Sequence, residues 1–362
     1  MSALASQTEA FDQVDAEAFA GQVGDLLDAG AVAVMISIGH RTGLFDVMAG
    51  LPPMSSEGIA ERAELAERYV REWLAVMVTG GIVKYDPARK TYQLPPEHSA
   101  CLTRNAPLGN LAVYAQHVAV LGAVHDQVLS RFESGEGMAY GDYPCFHQIM
   151  AEDSGQTVTA VLFDAILPLV DGIEARLEAG IDVLDAGCGR GSALLAMAAR
   201  FPMSRFVGYD LCDDAIDFAN RVARDAGLEN IVFERRDLTG YDEMERFDLI
   251  TSFDAVHDQK DPAGLIRSLH GALRPGGVYL MQDIGGSAKL ENNLDFPMAS
   301  LLYAVSCVHC TPISLGQGGA GLGTMWGWET AQAMLHEAGF KDVARNILAH
   351  DPTNVWFVSW KG

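Results

Sequence analysis

Three carboxylates and a run of glycines are spaced as if to hold a small, partly cationic ligand. The stretch Val183-Leu184-Asp185-Ala186-Gly187-Cys188-Gly189-Arg190-Gly191 reads as a buried strand that enters a glycine turn and then the helix SALLAMAARF. Glycines in such a turn let the backbone approach a ligand and expose amide N–H groups at a helix start. A dinucleotide calls for G-x-G-x-x-G, whereas the turn here is G-C-G-R-G with an acid, Asp185, two residues ahead of the first glycine. That acid suits a cationic amine better than a pyrophosphate. The next strand ends in Gly208-Tyr209-Asp210, where a carboxylate can accept hydrogen bonds from both hydroxyls of a ribose. A third ends at Asp237, near where an adenine amino group would lie. Each of these two acids alone reads as a turn or helix-capping residue; the glycine turn in register with them favours the ligand.

A fourth strand runs into Phe253-Asp254-Ala255-Val256-His257-Asp258-Gln259. In an open α/β sheet this carboxyl edge is where a second substrate meets the cofactor, so His257 is placed for chemistry. Asp258 beside it, or Asp283 at the end of the fifth strand, is a candidate for orienting a group or taking a proton. Farther on, Tyr303 to Cys310 brings in His309, and the cluster LGQGGAGLGTMWG, Leu315 to Gly327, follows. A lone histidine is more often structural than functional. Cys307-x-x-Cys310 has no second pair and reads as chance spacing in a helix. The glycine cluster reads as a loop folded over a ligand, with Met298, Leu301, Leu302, Tyr303 and Met325 as apolar lining.

The elements that must position these groups follow from the change of hydrophobic period along the chain. From Ile181 onward, short apolar strands alternate with helical segments and end in a pair near KDVARNIL and NVWFVSW. That pattern predicts an α/β fold, a doubly wound sheet with helices on both faces. Ahead of it, residues 54–95 read as a capped helix at Ser55 or Ser56, a second helix and two short strands, a winged-helix signature. Asp15 to Leu51 reads as two helices broken by Gly39 and Gly43, and Asn110 to Arg176 as helices with a break at Ser134 to Pro144 that forms part of a lid. The expected domains are 1–105, a winged-helix dimerisation domain; 106–176, a helical linker and lid; and 177–362, the α/β domain.

Charge narrows the partners. With 48 acidic against 25 basic residues the net charge is −23, which repels nucleic acid and anionic membranes. Residues 54–95 carry as many acidic as basic side chains, so the winged helix is expected to make a homodimer rather than bind DNA. The six cysteines are scattered and no secretory signal is evident, so free thiols and a cytoplasmic location are expected.

The glycine turn with Asp185, Asp210 and Asp237 resembles the class I S-adenosylmethionine-dependent methyltransferases, over roughly residues 181–362. The resemblance implies a cofactor-binding set of Asp185, Gly187, Gly189, Asp210, Leu211, Asp237, Leu238 and Phe253. Val256-His257-Asp258-Gln259, His309-Cys310 and the glycine cluster, with the winged helix, resemble the metal-dependent α-keto acid C-methyltransferases. That narrower resemblance implies an iron or zinc ion held by His257 and His309, with His257, Asp258 and His309 as catalytic residues. The implied reaction is methylation of the β-carbon of a small α-keto acid through a metal-stabilised enolate. The alternatives are a metal-independent O- or N-methyltransferase with His257 as general base, and a winged-helix regulator that senses the cofactor, against which Glu57, Glu61, Glu64 and Glu67 speak.

Overall fold

The computed structural model describes residues 11–107 and 109–362, which belong to two compact units, Met1–Ala119 and Val120–Gly362. In the first, α1 (Gln13–Arg41) begins where the Asp12 carboxylate accepts the amides of Val14 and Asp15. The helix runs through Gly39, where a break was expected. A Cβ at Gly39 would come within 2.6 Å of the Trp73 ring and 2.7 Å of the Phe45 ring, so this glycine permits close packing and does not end the helix. The chain turns at Gly43 into α2 (Leu44–Met48). Ser55 caps α3 (Ser56–Ala63), its hydroxyl accepting from the Gly58 amide at 3.3 Å. Then come α4 (Glu67–Thr79), the antiparallel ribbon of β1 (Lys84–Asp86) and β2 (Thr91–Gln93), and α5 (Pro96–Leu102). Phe45 and Trp73 meet edge to face at 5.2 Å in the core of this unit. The winged-helix reading is met.

One face of α1 carries Phe19, Leu26, Leu27 and Val34, all exposed. By length and composition alone, α1 and the stretch Ala299–Gly316 are apolar enough to cross a membrane.

After α6 (Ala112–Ala123), the second unit opens with α7 (His125–Ser134), α8 (Phe146–Thr157) and α9 (Ile173–Ala179). The strands β3 (Asp182–Ala186), β4 (Arg205–Asp210), β5 (Ile231–Arg235), β6 (Phe247–Phe253) and β7 (Leu273–Ile284) follow, joined by α10 (Ser192–Arg200), α11 (Asp213–Asp225) and α12 (Pro262–Ala272). Next are α13 (Ala299–Val305), α14 (Thr311–Gly316), α15 (Trp328–Glu337), β8 (Asp342–Leu348) and β9 (Asp351–Trp360). The seven strands form one sheet in the order β5-β4-β3-β6-β7-β9-β8. The first five are parallel; β9 runs antiparallel to β7, and β8 to β9.

Alternate residues feed the two faces of this sheet. Leu249 and Leu280 pack with Leu194, Met197 and Ile216 on one side, and Ile250 and Met281 with Ile266, Leu269 and Leu335 on the other. Strand order reverses direction between β3 and β6, so the crevice of this fold opens at their carboxyl ends.

Candidate active site

The glycine turn leaves β3 at that crevice. Gly187 has φ 80°, and a Cβ there would lie 2.5 Å from the Ala255 Cβ, so no other residue fits. A Cβ at Gly189 would meet nothing within 4 Å: the space in front of the turn is open. The amides of Gly187, Cys188 and Gly189 do not face that space as expected. Gly187 and Cys188 donate to the Tyr209 carbonyl at 2.9 and 3.0 Å, and Gly189 donates to Asp210 Oδ2 at 2.9 Å. The peptide groups are used to bind the turn to β4, which suits a ligand without phosphates.

The expected cofactor residues converge on one cavity: Asp185, Gly187, Gly189, Asp210, Leu211, Asp237, Leu238 and Phe253 all line it. Asp185 is buried and its Oδ1 accepts from Thr251 Oγ1 at 2.8 Å, across the β3–β6 pairing. Burial pushes its carboxyl up to about 7, against the Thr251 hydrogen bond. Asp210 Oδ1 accepts the Cys212 amide at 2.9 Å, and Asp237 lies past the end of β5, where its Oδ1 accepts the Thr239 amide at 2.8 Å. The opposite wall comes from Tyr140, Phe146, Met150, Ala151 and Val158. Met298, Leu301, Leu302, Tyr303 and Met325 are not part of the lining, and of the glycine cluster Gln317 alone reaches it. The roof of the cavity is therefore α8 with its flanks.

Beyond β6 lies a buried knot of polar side chains. His257 Nδ1 donates to Asp283 Oδ1 at 2.8 Å, and the same oxygen accepts from Trp326 Nε1 at 3.0 Å and the Ile284 amide at 2.8 Å. His257 Nε2 is 3.3 Å from Asp258 Oδ1, an oxygen that has no hydrogen-bond partner. Burial by itself lowers the basicity of His257, but the charges of Asp283 and Asp258 outweigh it and hold the imidazole well above its ordinary value. Asp258 lines the cofactor cavity, and His257 stands behind it, 3% exposed.

His309 is brought to the same place: its Nδ1 is 3.9 Å from Asp258 Oδ2 and 3.5 Å from Cys310 Sγ, and its ring stacks on Phe146 at 3.9 Å. In this knot the ligand atoms of His257, Asp258 and Cys310 lie within 4.8 Å of one another. His309, expected as the second ligand beside His257, is not in this set, and Cys310, which sequence reasoning missed, is. Its one signal, the Cys307-x-x-Cys310 spacing, sits in a helical turn that aims Cys310 inward and leaves Cys307 exposed.

Residues 177–339 match the family model of a methyltransferase domain, and residues 30–104 that of the Rv2258c-like winged HTH domain. Residues 177–339 are a methyltransferase domain of the S-adenosylmethionine-dependent class. Curated relatives of this domain include a fatty-acid O-methyltransferase of Mycolicibacterium smegmatis, 32% identical over 104 residues, which are 29% of this chain and 37% of that protein. Another is a ubiquinone biosynthesis O-methyltransferase of Leptothrix cholodnii, 27% identical over 112 residues, 30% of this chain and 47% of that one. The chain spans from 23% to 52% of the length of such relatives. The whole fold is shared more widely. Human N-acetylserotonin methyltransferase, solved with S-adenosylmethionine, superposes with a TM-score of 0.68 at 16% identity, covering 98% of this chain and 99% of that one. A Nostoc punctiforme protein classed as an O-methyltransferase gives 0.71 at 17% identity over 94% of this chain and 98% of that one.

Proposed function

We propose that the protein methylates a hydroxyl group of a small molecule with S-adenosylmethionine, and that His257 is the general base. The observation that carries this reading is the buried His257–Asp283 hydrogen bond of 2.8 Å, one residue from a carboxylate that lines the cofactor cavity. When bound, S-adenosylmethionine supplies an electrophilic methyl group. The residues present fit it: an open cradle at Gly189, a buried acid at Asp185 for the amino group, and Asp210 at the end of β4 for the ribose. His257 acts as base once it has given up its own proton: Asp283 accepts from Nδ1, Nε2 faces Asp258 at 3.3 Å, and the acceptor's proton passes by way of Asp258, which lines the cavity, to Nε2, where both carboxylates stabilise the imidazolium. Tyr140 and Phe146 give the cavity an aromatic wall against which a bound acceptor would shed water.

A second reading, C-methylation of a small α-keto acid with a bound iron or zinc ion, is favoured by one feature: the convergence of His257, Asp258 and Cys310 around an unpartnered Asp258 oxygen. Imidazole, carboxylate and thiolate are a donor set for either metal, and Asp283 on the far side of His257 is the outer carboxylate such ligands use. A bound ion would supply Lewis acidity towards the substrate's carbonyl.

The deciding experiment compares wild type, His257→Ala and Cys310→Ser for metal content and for methyl transfer to phenolic and fatty acceptors and to phenylpyruvate. Activity on a hydroxyl acceptor that survives chelation and is lost in His257→Ala supports the first reading. One iron or zinc per chain, lost in both variants with activity on the keto acid, replaces it by the second.

A further inference from the structure

A second set of metal-binding side chains lies at the rim of the cofactor cavity, outside the knot around His257. His147, in the first turn of α8, places Nδ1 3.0 Å from Asp214 Oδ2, in the first turn of α11. Cys212 is the N-cap residue of α11, and its thiol makes no capping bond. The ligand atoms of His147, Cys212 and Asp214 all lie within 4.8 Å of one another. A tetrahedral zinc site with bonds of about 2.0–2.3 Å needs its donors about 3.3–3.8 Å apart, so a small contraction closes this set on an ion. The Cys212 backbone is fixed independently by the hydrogen bond its amide N–H donates to Asp210 Oδ1 at 2.9 Å.

Exposure and charge suit a cation that enters from solvent. The Asp214 side chain is 68% exposed and that of His147 14%, and both, with Cys212, line an open hollow between α8 and the start of α11. Asp210 and Asp214 set two negative charges beside the Cys212 thiol. A field that opposes a bare thiolate is one that a divalent cation relieves. Imidazole and thiolate together select zinc over magnesium or calcium.

We propose that His147, Cys212 and Asp214 bind zinc, and that the ion clasps α8 to the start of α11 across the mouth of the cofactor cavity. The first part stands on the three side chains alone; the second rests on the cofactor reading above. His147 is the one ligand on the roof helix, and it is followed on that helix by Met150, Ala151 and Ser154, which line the cavity. The other two ligands follow directly on Asp210 and Leu211 in the floor. An ion that joins the two walls holds the roof down and slows exchange of the bound nucleoside.

The test uses the full chain stripped of metal, titrated with cobalt(II) and with zinc against a chromophoric chelator. Cys310→Ser, which removes the thiolate of the other cluster, is expected to develop thiolate-to-cobalt absorption, and the double variant Cys310→Ser with Cys212→Ser is expected to lose it. Zinc affinity is expected to fall at least about tenfold in Cys212→Ser and in His147→Asn. Matching far-UV melting curves without metal show that these variants fold. Absorption that persists in the double variant, or equal zinc affinity in all variants, overturns the site. The clasp is read from the release rate of S-adenosylhomocysteine, which zinc should slow in wild type and leave unchanged in Cys212→Ser; zinc that binds without slowing release overturns it. Failure of S-adenosylhomocysteine to bind at all would overturn the cofactor reading, while the cobalt titration still decides the site.

Discussion

Asp185 and His257 are both buried ionisable groups, and their neighbours drive them in ways that solution measurements can read. The Asp185 carboxyl, raised by burial to about 7, keeps its proton in the folded, unliganded protein well above the ordinary value of about 4. Between those two values the unfolded chain has lost that proton and the folded one has not. The contribution of Asp185 to stability therefore falls as pH rises through this window and is lost above about pH 7. A cationic amino group binds the ionised carboxylate, so S-adenosylmethionine affinity should weaken up to about tenfold for each pH unit below 7. Calorimetry on wild type and Asp185→Asn checks this; a wild-type profile as flat as that of Asp185→Asn would separate Asp185 from the ligand's amine. For His257, removal of the imidazole should lower kcat by about 10²–10⁴-fold while cofactor affinity stays unchanged. Asp283→Asn should also lower kcat, because Asp283 accepts from Nδ1 at 2.8 Å and sets which nitrogen carries the lone pair. Equal kcat in wild type and His257→Ala would remove the base.

At the scale of elements, α1 shows how tertiary contacts override local signals. Gly39 sits mid-helix against Trp73 and Phe45, whereas Gly21 in the same helix has nothing within 4 Å of a Cβ position. Gly21→Ala should stabilise the protein by about 0.5–1 kcal/mol through the unfolded state, and Gly39→Ala should destabilise it by about 1–3 kcal/mol through overpacking. Urea unfolding of both variants checks the pair, and equal effects would mean that the Gly39 contact carries no energy. The same contrast explains what was legible in the sequence. The ends of β3, β4 and β6 announced themselves because a buried strand, a glycine turn and an acid are contiguous, and the resulting set of cavity residues is the expected one. Of the roof, the expected lid break at Ser134 to Pro144 does bring Tyr140 to the cavity, but α8 was not legible, because nothing local says that it will lie over the glycine turn or that Phe146 will stack on His309, 163 residues away in the chain (309 − 146). Cys310 was missed for a related reason: its role depends on a helical turn that separates it from Cys307, while the spacing alone carries no direction. The break placed at Gly39 failed because a glycine that fits beside an indole looks, in sequence, like one that ends a helix.

At the scale of the whole molecule, the apolar face of α1 needs a partner. Phe19, Val23, Leu26, Leu27, Val34 and Ile38 recur at helical spacing and are all more than a third exposed. An exposed apolar stripe of this length marks a contact with protein or with membrane, and a second copy is the expected partner. A membrane is the competing occupant, since α1 is long and apolar enough to cross one. The net charge of −23 opposes approach to an anionic bilayer, and it does not prevent two copies from meeting along a neutral stripe. The expected outcome is a homodimer: light scattering on the full chain should give twice the mass of 38.9 kDa. Leu26→Glu with Leu27→Glu should give the monomer, because each charge would have to be buried against its own copy. Vesicle flotation in the same buffer decides against the membrane. Wild type that floats with anionic lipid and sediments as a monomer without it would make α1 an anchor, and the winged-helix domain would then need another role.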